Sequence, residues 1–70
     1  MKTRYGIVIE DAGGTYSAYV PDLPGCVATG QTIDEVSHEI TEAIEFHLDG
    51  LSEDGLPIPV PSAICDYVEV

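Results

Sequence analysis

The sequence predicts an α+β domain of order β-β-β-α-β, and three observations carry that expectation. Residues 3–10 and 15–20 alternate apolar and polar side chains with period two, the spacing of strands with one buried face. From Ile33 to Leu48 the apolar positions change to helical spacing. Between the strand-like segments the turn residues cluster, as Asp11-Ala12-Gly13-Gly14 and as Pro21-Asp22-Leu23-Pro24-Gly25.

In the first strand Tyr5, Ile7 and Ile9 share one face, with Arg4, Gly6, Val8 and Glu10 on the other. Gly13-Gly14 then supplies the positive φ that a hairpin loop needs. In the second strand Tyr16, Ala18 and Val20 point one way, Ser17 and Tyr19 the other. The two prolines of the next segment cannot donate to a ladder, so it reads as a rigid loop. A short third strand at about Cys26–Thr29 ends at Gly30.

Thr32 and Glu35 have capping-box spacing, and Asp34 and Glu35 suit the positive end of the helix dipole. Gly50 is the expected helix stop. Residues 51–62, with Gly55 and prolines at 57, 59 and 61, read as an extended connector, and residues 63–70 as a fourth strand with Ile64, Val68 and Val70 on one face. A right-handed crossover through the helix places that strand parallel to the first. The expected sheet is a three-stranded antiparallel meander with order 3-2-1-4 and one helix on one face. Its open face or edge favours dimerisation in a domain this small.

The charge is concentrated on the helix. The 70 residues hold 13 carboxylates and two cations, Lys2 and Arg4, for a net charge of −11. A 44% hydrophobic content separates the chain from disordered acidic tails. Advancing about 100° per residue, Ile33, Val36, Ile40, Ala43, Ile44 and Leu48 fall within roughly 140° of arc. Asp34, Glu35, Glu39, Glu42, Glu45 and Asp49 fall opposite them within a similar arc, with no Lys or Arg interleaved. Such a face is either a solubilising surface or a docking surface for a basic protein. Phe46, at about 220° among the carboxylates, favours docking unless the proline-rich connector covers it. The candidate partner-binding residues are Glu35, Glu39, Glu42, Glu45, Phe46 and Asp49.

Several function classes are disfavoured. A strongly acidic surface repels phosphate backbones and anionic lipid, so no direct nucleic-acid or membrane contact is expected. No apolar run approaches the roughly 18 residues of a membrane span. His38 and His47 fall on opposite sides of the helix and cannot share an ion; His47, on the apolar stripe, reads as a core or interface residue. Cys26 and Cys65 lack CxxC or CxxH neighbours and read as buried free thiols, so no metal or cofactor is expected. Glu10, Asp11, Asp22 and Asp66 lie on strand ends and loops with no spacing that requires convergence, and no nucleophile–base arrangement stands out. The expected protein is not an enzyme, and with no signal peptide it is expected in the cytoplasm.

The stretch from Tyr16 to Val27, with Pro21-Asp22-Leu23-Pro24-Gly25-Cys26 at its centre, resembles the HicB-like antitoxin family. The resemblance continues through Gly30-Gln31-Thr32-Ile33-Asp34-Glu35-Val36, Glu42-Ala43-Ile44-Glu45 and Gly55-Leu56-Pro57-Ile58-Pro59, then Pro61-Ser62. It covers nearly the whole chain. It implies a β-β-β-α-β domain described as a partial RNase H-like fold, without implying nuclease activity. It also implies a partner, a small basic HicA-type toxin that cleaves mRNA, whose active surface the antitoxin covers, and assembly as a homodimer or tetramer. Many relatives add a C-terminal DNA-binding domain; residues 1–70 are expected to form a single domain without one. The alternative expectation is a stand-alone homo-oligomeric domain that binds another protein or a small ligand and has no toxin partner.

Overall fold

Three short strands and one long helix make up the observed architecture. The structure, a computed structural model, describes residues 3–64 and 66–69. The strands are β1 (Val8–Asp11), β2 (Tyr16–Tyr19) and β3 (Val27–Gly30), and the helix is α1 (Ile33–Glu53). The sheet is an antiparallel meander of order β1-β2-β3. Ile9 stands opposite Ala18 and Ala18 opposite Ala28, while Val8, Tyr19 and Val27 form the neighbouring row.

That register converts alternation into two faces. Ile7, Ile9, Ala18 and Val20 belong to the side packed against Val36 and Ile40 of α1. Val8, Tyr19 and Val27 belong to the other side, which no second layer covers among the described residues. The β1–β2 turn is closed by Ala12 N–H donating to the Thr15 carbonyl at 2.8 Å and Gly13 N–H donating to Asp11 Oδ1 at 2.9 Å. Gly13 and Gly14 take φ of +81° and +109°, conformations that L side chains rarely adopt.

The Pro21–Gly25 loop does more than turn the chain. Val20 N–H donates to the Cys26 carbonyl, Leu23 N–H to the Val20 carbonyl and Cys26 N–H to the Leu23 carbonyl, at 3.2, 3.1 and 3.1 Å. These bonds fold the loop inward and leave Leu23 0% exposed, in the same core as Val36 and Ile40. Cys26 is buried and free beside it, and burial raises the pKa of its thiol. Cys65 lies outside the described residues.

α1 starts as its residues dictate. Thr32 is extended at φ −133°, and its hydroxyl accepts from Glu35 N–H at 3.0 Å. Its end differs from the expected stop. The helix passes through Gly50 because Leu51 falls back on the apolar stripe, where it is half-buried. It closes instead at Gly55, φ +69°, with Gly55 N–H on the Ser52 carbonyl at 3.1 Å and Leu56 N–H on the Leu51 carbonyl at 2.9 Å. This pair of bonds is a Schellman ending. The additional turn adds Glu53 to the acidic side. Ile33, counted with the apolar stripe, is exposed, while Val36 one turn on is fully buried.

The expected fourth strand is not formed among the described residues. Residues 63, 64 and 66–69 carry no strand, and Cys65 and Val70 lie outside the description. Tyr5 Oη donates to the Pro59 carbonyl, which holds the connector against β1's flank. Ala63, Ile64 and Tyr67 then border a cleft whose other wall is Ile7, Val8 and Ile9. Ile64 and Val68 stay exposed. With those apolar side chains left in solvent, the segment gains little burial to offset the entropy of ordering a strand.

Candidate functional site

Helical periodicity places every candidate carboxylate in solvent. Asp34, Glu35, Glu39, Glu42, Glu45 and Asp49 are all exposed, and Phe46 is 83% exposed among them. The connector leaves the ring uncovered. Of the large apolar side chains of α1 recorded as exposed, Ile33 and Phe46, Phe46 is the more exposed, and it is the one that stands among the carboxylates.

The structure divides the six candidate residues. Glu39, Glu42 and Phe46 come together along one wall of a groove whose opposite wall is Val27, Ala28 and Thr29 of β3. Their spacing of three to four residues stacks them on successive turns. Glu45 lies on the other flank, in a shallow pocket with Thr3, Tyr5, Thr41 and Leu48. Glu35 and Asp49 stand farther along the helix, outside the groove. His38 Nε2 sits 3.1 Å from Glu42 Oε1, an i,i+4 pair on a solvent-exposed surface. His47 is half-buried, on the stripe side. Among the described residues no three His, Cys, Asp or Glu side chains converge in a metal-binding group. Among the described residues no helix is long and apolar enough to cross a membrane.

A second feature escaped the sequence patterns. Asp22, in the loop before β3, accepts from Ser62 N–H at 3.1 Å, from Ser62 Oγ–H at 2.8 Å and from Ala63 N–H at 3.1 Å. The Ser62 hydroxyl and then the two amides hold its carboxyl below the ordinary carboxylate range. The Asp22 clasp fixes where the C-terminal segment leaves the domain. A sequence signal existed, since both Asp22 and Ser62 follow a proline whose fixed φ presents the next residue in a set direction.

The sign of its pH dependence follows from the lowered pKa. The clasp is fully formed above the unfolded-state carboxylate pKa and is lost as pH falls through the lower folded-state value. Amide exchange at Ser62 and Ala63 is therefore expected to be slow at neutral pH and to accelerate, relative to the intrinsic rate, only below the ordinary carboxylate range. Asp22→Ala, which removes the oxygen that accepts from both amides, should show fast exchange at Ser62 and Ala63 at every pH.

The three-stranded meander packed against one helix is shared with solved structures. The N-terminal domain of antitoxin HicB from Burkholderia pseudomallei superposes with a TM-score of 0.73 at 34% identity, over 83% of this chain and 69% of that one. A chain of the HicA3–HicB3 toxin–antitoxin complex superposes with a TM-score of 0.71 at 32% identity, over 86% of this chain and 70% of that one. A family model described as the HicB-like antitoxin of bacterial toxin–antitoxin systems matches residues 5–70. The chain belongs to the HicB-like antitoxin family. Among its relatives is an uncharacterised 14.9 kDa protein of Haemophilus phage HP1, 39% identical over 91% of this chain. This chain spans about half, 48%, of that phage protein's length. A UPF0150 protein of Synechocystis is 38% identical over 80% of this chain and 72% of its own.

Proposed function

We propose that this chain is an antitoxin that neutralises a small basic HicA-type mRNA-cleaving toxin by covering the toxin's active surface. The observation that carries this reading is an exposed aromatic, Phe46, set in a helix face of exposed carboxylates with no Lys or Arg among them. Unlike charges steer encounter and fix register, and a desolvated aromatic supplies the anchor. Membership of the antitoxin family supports the reading, as does likeness to a chain of a HicA–HicB complex. The chain acts by binding, with no catalytic residue, cofactor or direct nucleic-acid contact, and it works in the cytoplasm beside its target.

The test is co-purification with a HicA-type toxin and rescue of cells that express it. A Glu39→Lys, Glu42→Lys, Glu45→Lys triple variant is expected to associate about 10–100-fold more slowly at low salt, with a smaller change in dissociation. Unchanged affinity would remove the acidic face from the mechanism.

A homodimer or tetramer belongs to the same reading, because Tyr67 is 95% exposed beside Ile64 and Val68 in the C-terminal segment. A second copy covering that segment would give it a buried face, and residues 63–70 would then become the fourth strand beside β1. Light scattering on the same samples is expected to give a dimer or tetramer; a monomer at every concentration would exclude it.

A further inference from the structure

Among the described residues the outer edge of β3 is unpartnered, and its geometry sets what fits there. In an antiparallel pair, hydrogen-bonded and non-hydrogen-bonded residue pairs alternate. Val20 N–H donates to the Cys26 carbonyl, and the register continues from that pair through Ala18↔Ala28 to Tyr16↔Gly30. Val27 and Thr29 therefore turn their N–H and C=O groups away from β2, toward the free edge. β3 has no neighbour on that side among the described residues. Its sequence, Val-Ala-Thr-Gly, has none of the charges or prolines that usually blunt an edge.

Beside that edge stand Glu39, Glu42 and Phe46. We infer that the groove between β3 and α1 accepts an extended segment of a basic protein, added as a strand to β3. Its cationic side chains turn toward the helix, and its apolar side chains turn toward the open face. Alternation along the incoming strand would bring every second residue to Glu39 and Glu42, with the alkyl stem or cation over Phe46. The remaining residues would extend the apolar row Val8, Tyr19 and Val27, of which Val27 is 66% exposed. Charge selects a foreign basic strand over a second copy. Antiparallel β3–β3 pairing would set two acidic helices side by side on one face of the sheet, carboxylates against carboxylates. The inference deepens the antitoxin reading, on which it rests for the basic partner, by naming the mode of contact.

The test uses a capped heptapeptide of alternating lysine and valine as the probe, followed by amide exchange of the full chain. Saturating peptide is expected to slow exchange at Val27 and Thr29 by about tenfold or more while leaving Ala28, already facing β2, unchanged. A glutamate–valine peptide should have no effect. Thr29→Pro removes one outward donor and should weaken peptide binding by about tenfold. Val27→Lys, at an exposed position that tolerates substitution, should do the same by removing the apolar contact with the peptide's valines on the open face, and guards against a misfolded proline variant. Peptide binding with no slowing at Val27 and Thr29, or binding indifferent to both variants, would overturn the inference. The antitoxin reading is scored separately by toxin neutralisation. Neutralisation by a complex in which the Val27 and Thr29 amides stay fast would overturn edge docking alone. Edge protection by the peptide with no neutralisation of any HicA-type toxin would uphold the edge and overturn the antitoxin role.

Discussion

Leu23→Ala is expected to destabilise the domain by about 2–5 kcal/mol, the range for truncating a fully buried Leu. Leu23 is 0% exposed although it lies in a loop between two prolines. Its side chain fills the space where the β2–β3 connection meets Val36 and Ile40, and the loop's three backbone hydrogen bonds prevent the segment from collapsing into the void. A 70-residue domain has a small core, and total stabilities lie near 5–15 kcal/mol even for larger proteins. A loss of that size takes a large share of the fold. Urea unfolding of the two proteins will measure it, and a change under about 1 kcal/mol would show that the loop is dispensable to the core.

Gly30→Ala is expected to cost about 1–3 kcal/mol by overpacking. A Cβ on Gly30 would lie 2.6 Å from Val36 N and 3.1 Å from Val36 Cβ. The nearest atom is backbone, so no rotamer change relieves the contact; the helix must lift from β3. The reason for glycine here is closeness of approach. By contrast, Gly13 and Gly14 have open space around a would-be Cβ and are constrained by positive φ. Lifting α1 would also widen the groove between Phe46 and β3. Thermal unfolding checks the stability, and a Gly30→Ala protein as stable as the parent would contradict the close packing.

What could be read from the sequence was what local geometry decides. Period-two alternation separated Ile9, Ala18 and Val20 from Val8 and Tyr19, because the pleat assigns faces residue by residue. Thr32 marked the helix start because a cap acts within one turn. The wheel put Phe46 among the carboxylates, and the structure leaves it in solvent there. The failures share a nonlocal cause. Gly50 looked like a stop until Leu51, on the apolar stripe, is weighed against its helix penalty of about 1 kcal/mol. Leu23 was hidden by the habit of assigning proline-rich loops to the surface. The fourth strand depended on burial that one copy of the chain does not supply. The Asp22–Ser62 clasp joins residues 40 apart, beyond any window of periodicity. Likewise, the separation of Glu45 from Glu39 and Glu42 required knowing where β3 runs.

The surplus of carboxylates on α1 gives folding and binding opposite responses to ionic strength. In the free chain, Asp34, Glu35, Glu39, Glu42, Glu45, Asp49 and Glu53 repel one another with no lysine or arginine between them. Added salt shortens the reach of that repulsion to about 8 Å at physiological strength and favours the helix. Against a cationic partner the same screening removes attraction and slows encounter. Conditions that loosen such a complex would therefore be those in which the released acidic domain best tolerates being alone. A bound partner would in turn serve as the helix's missing set of counterions.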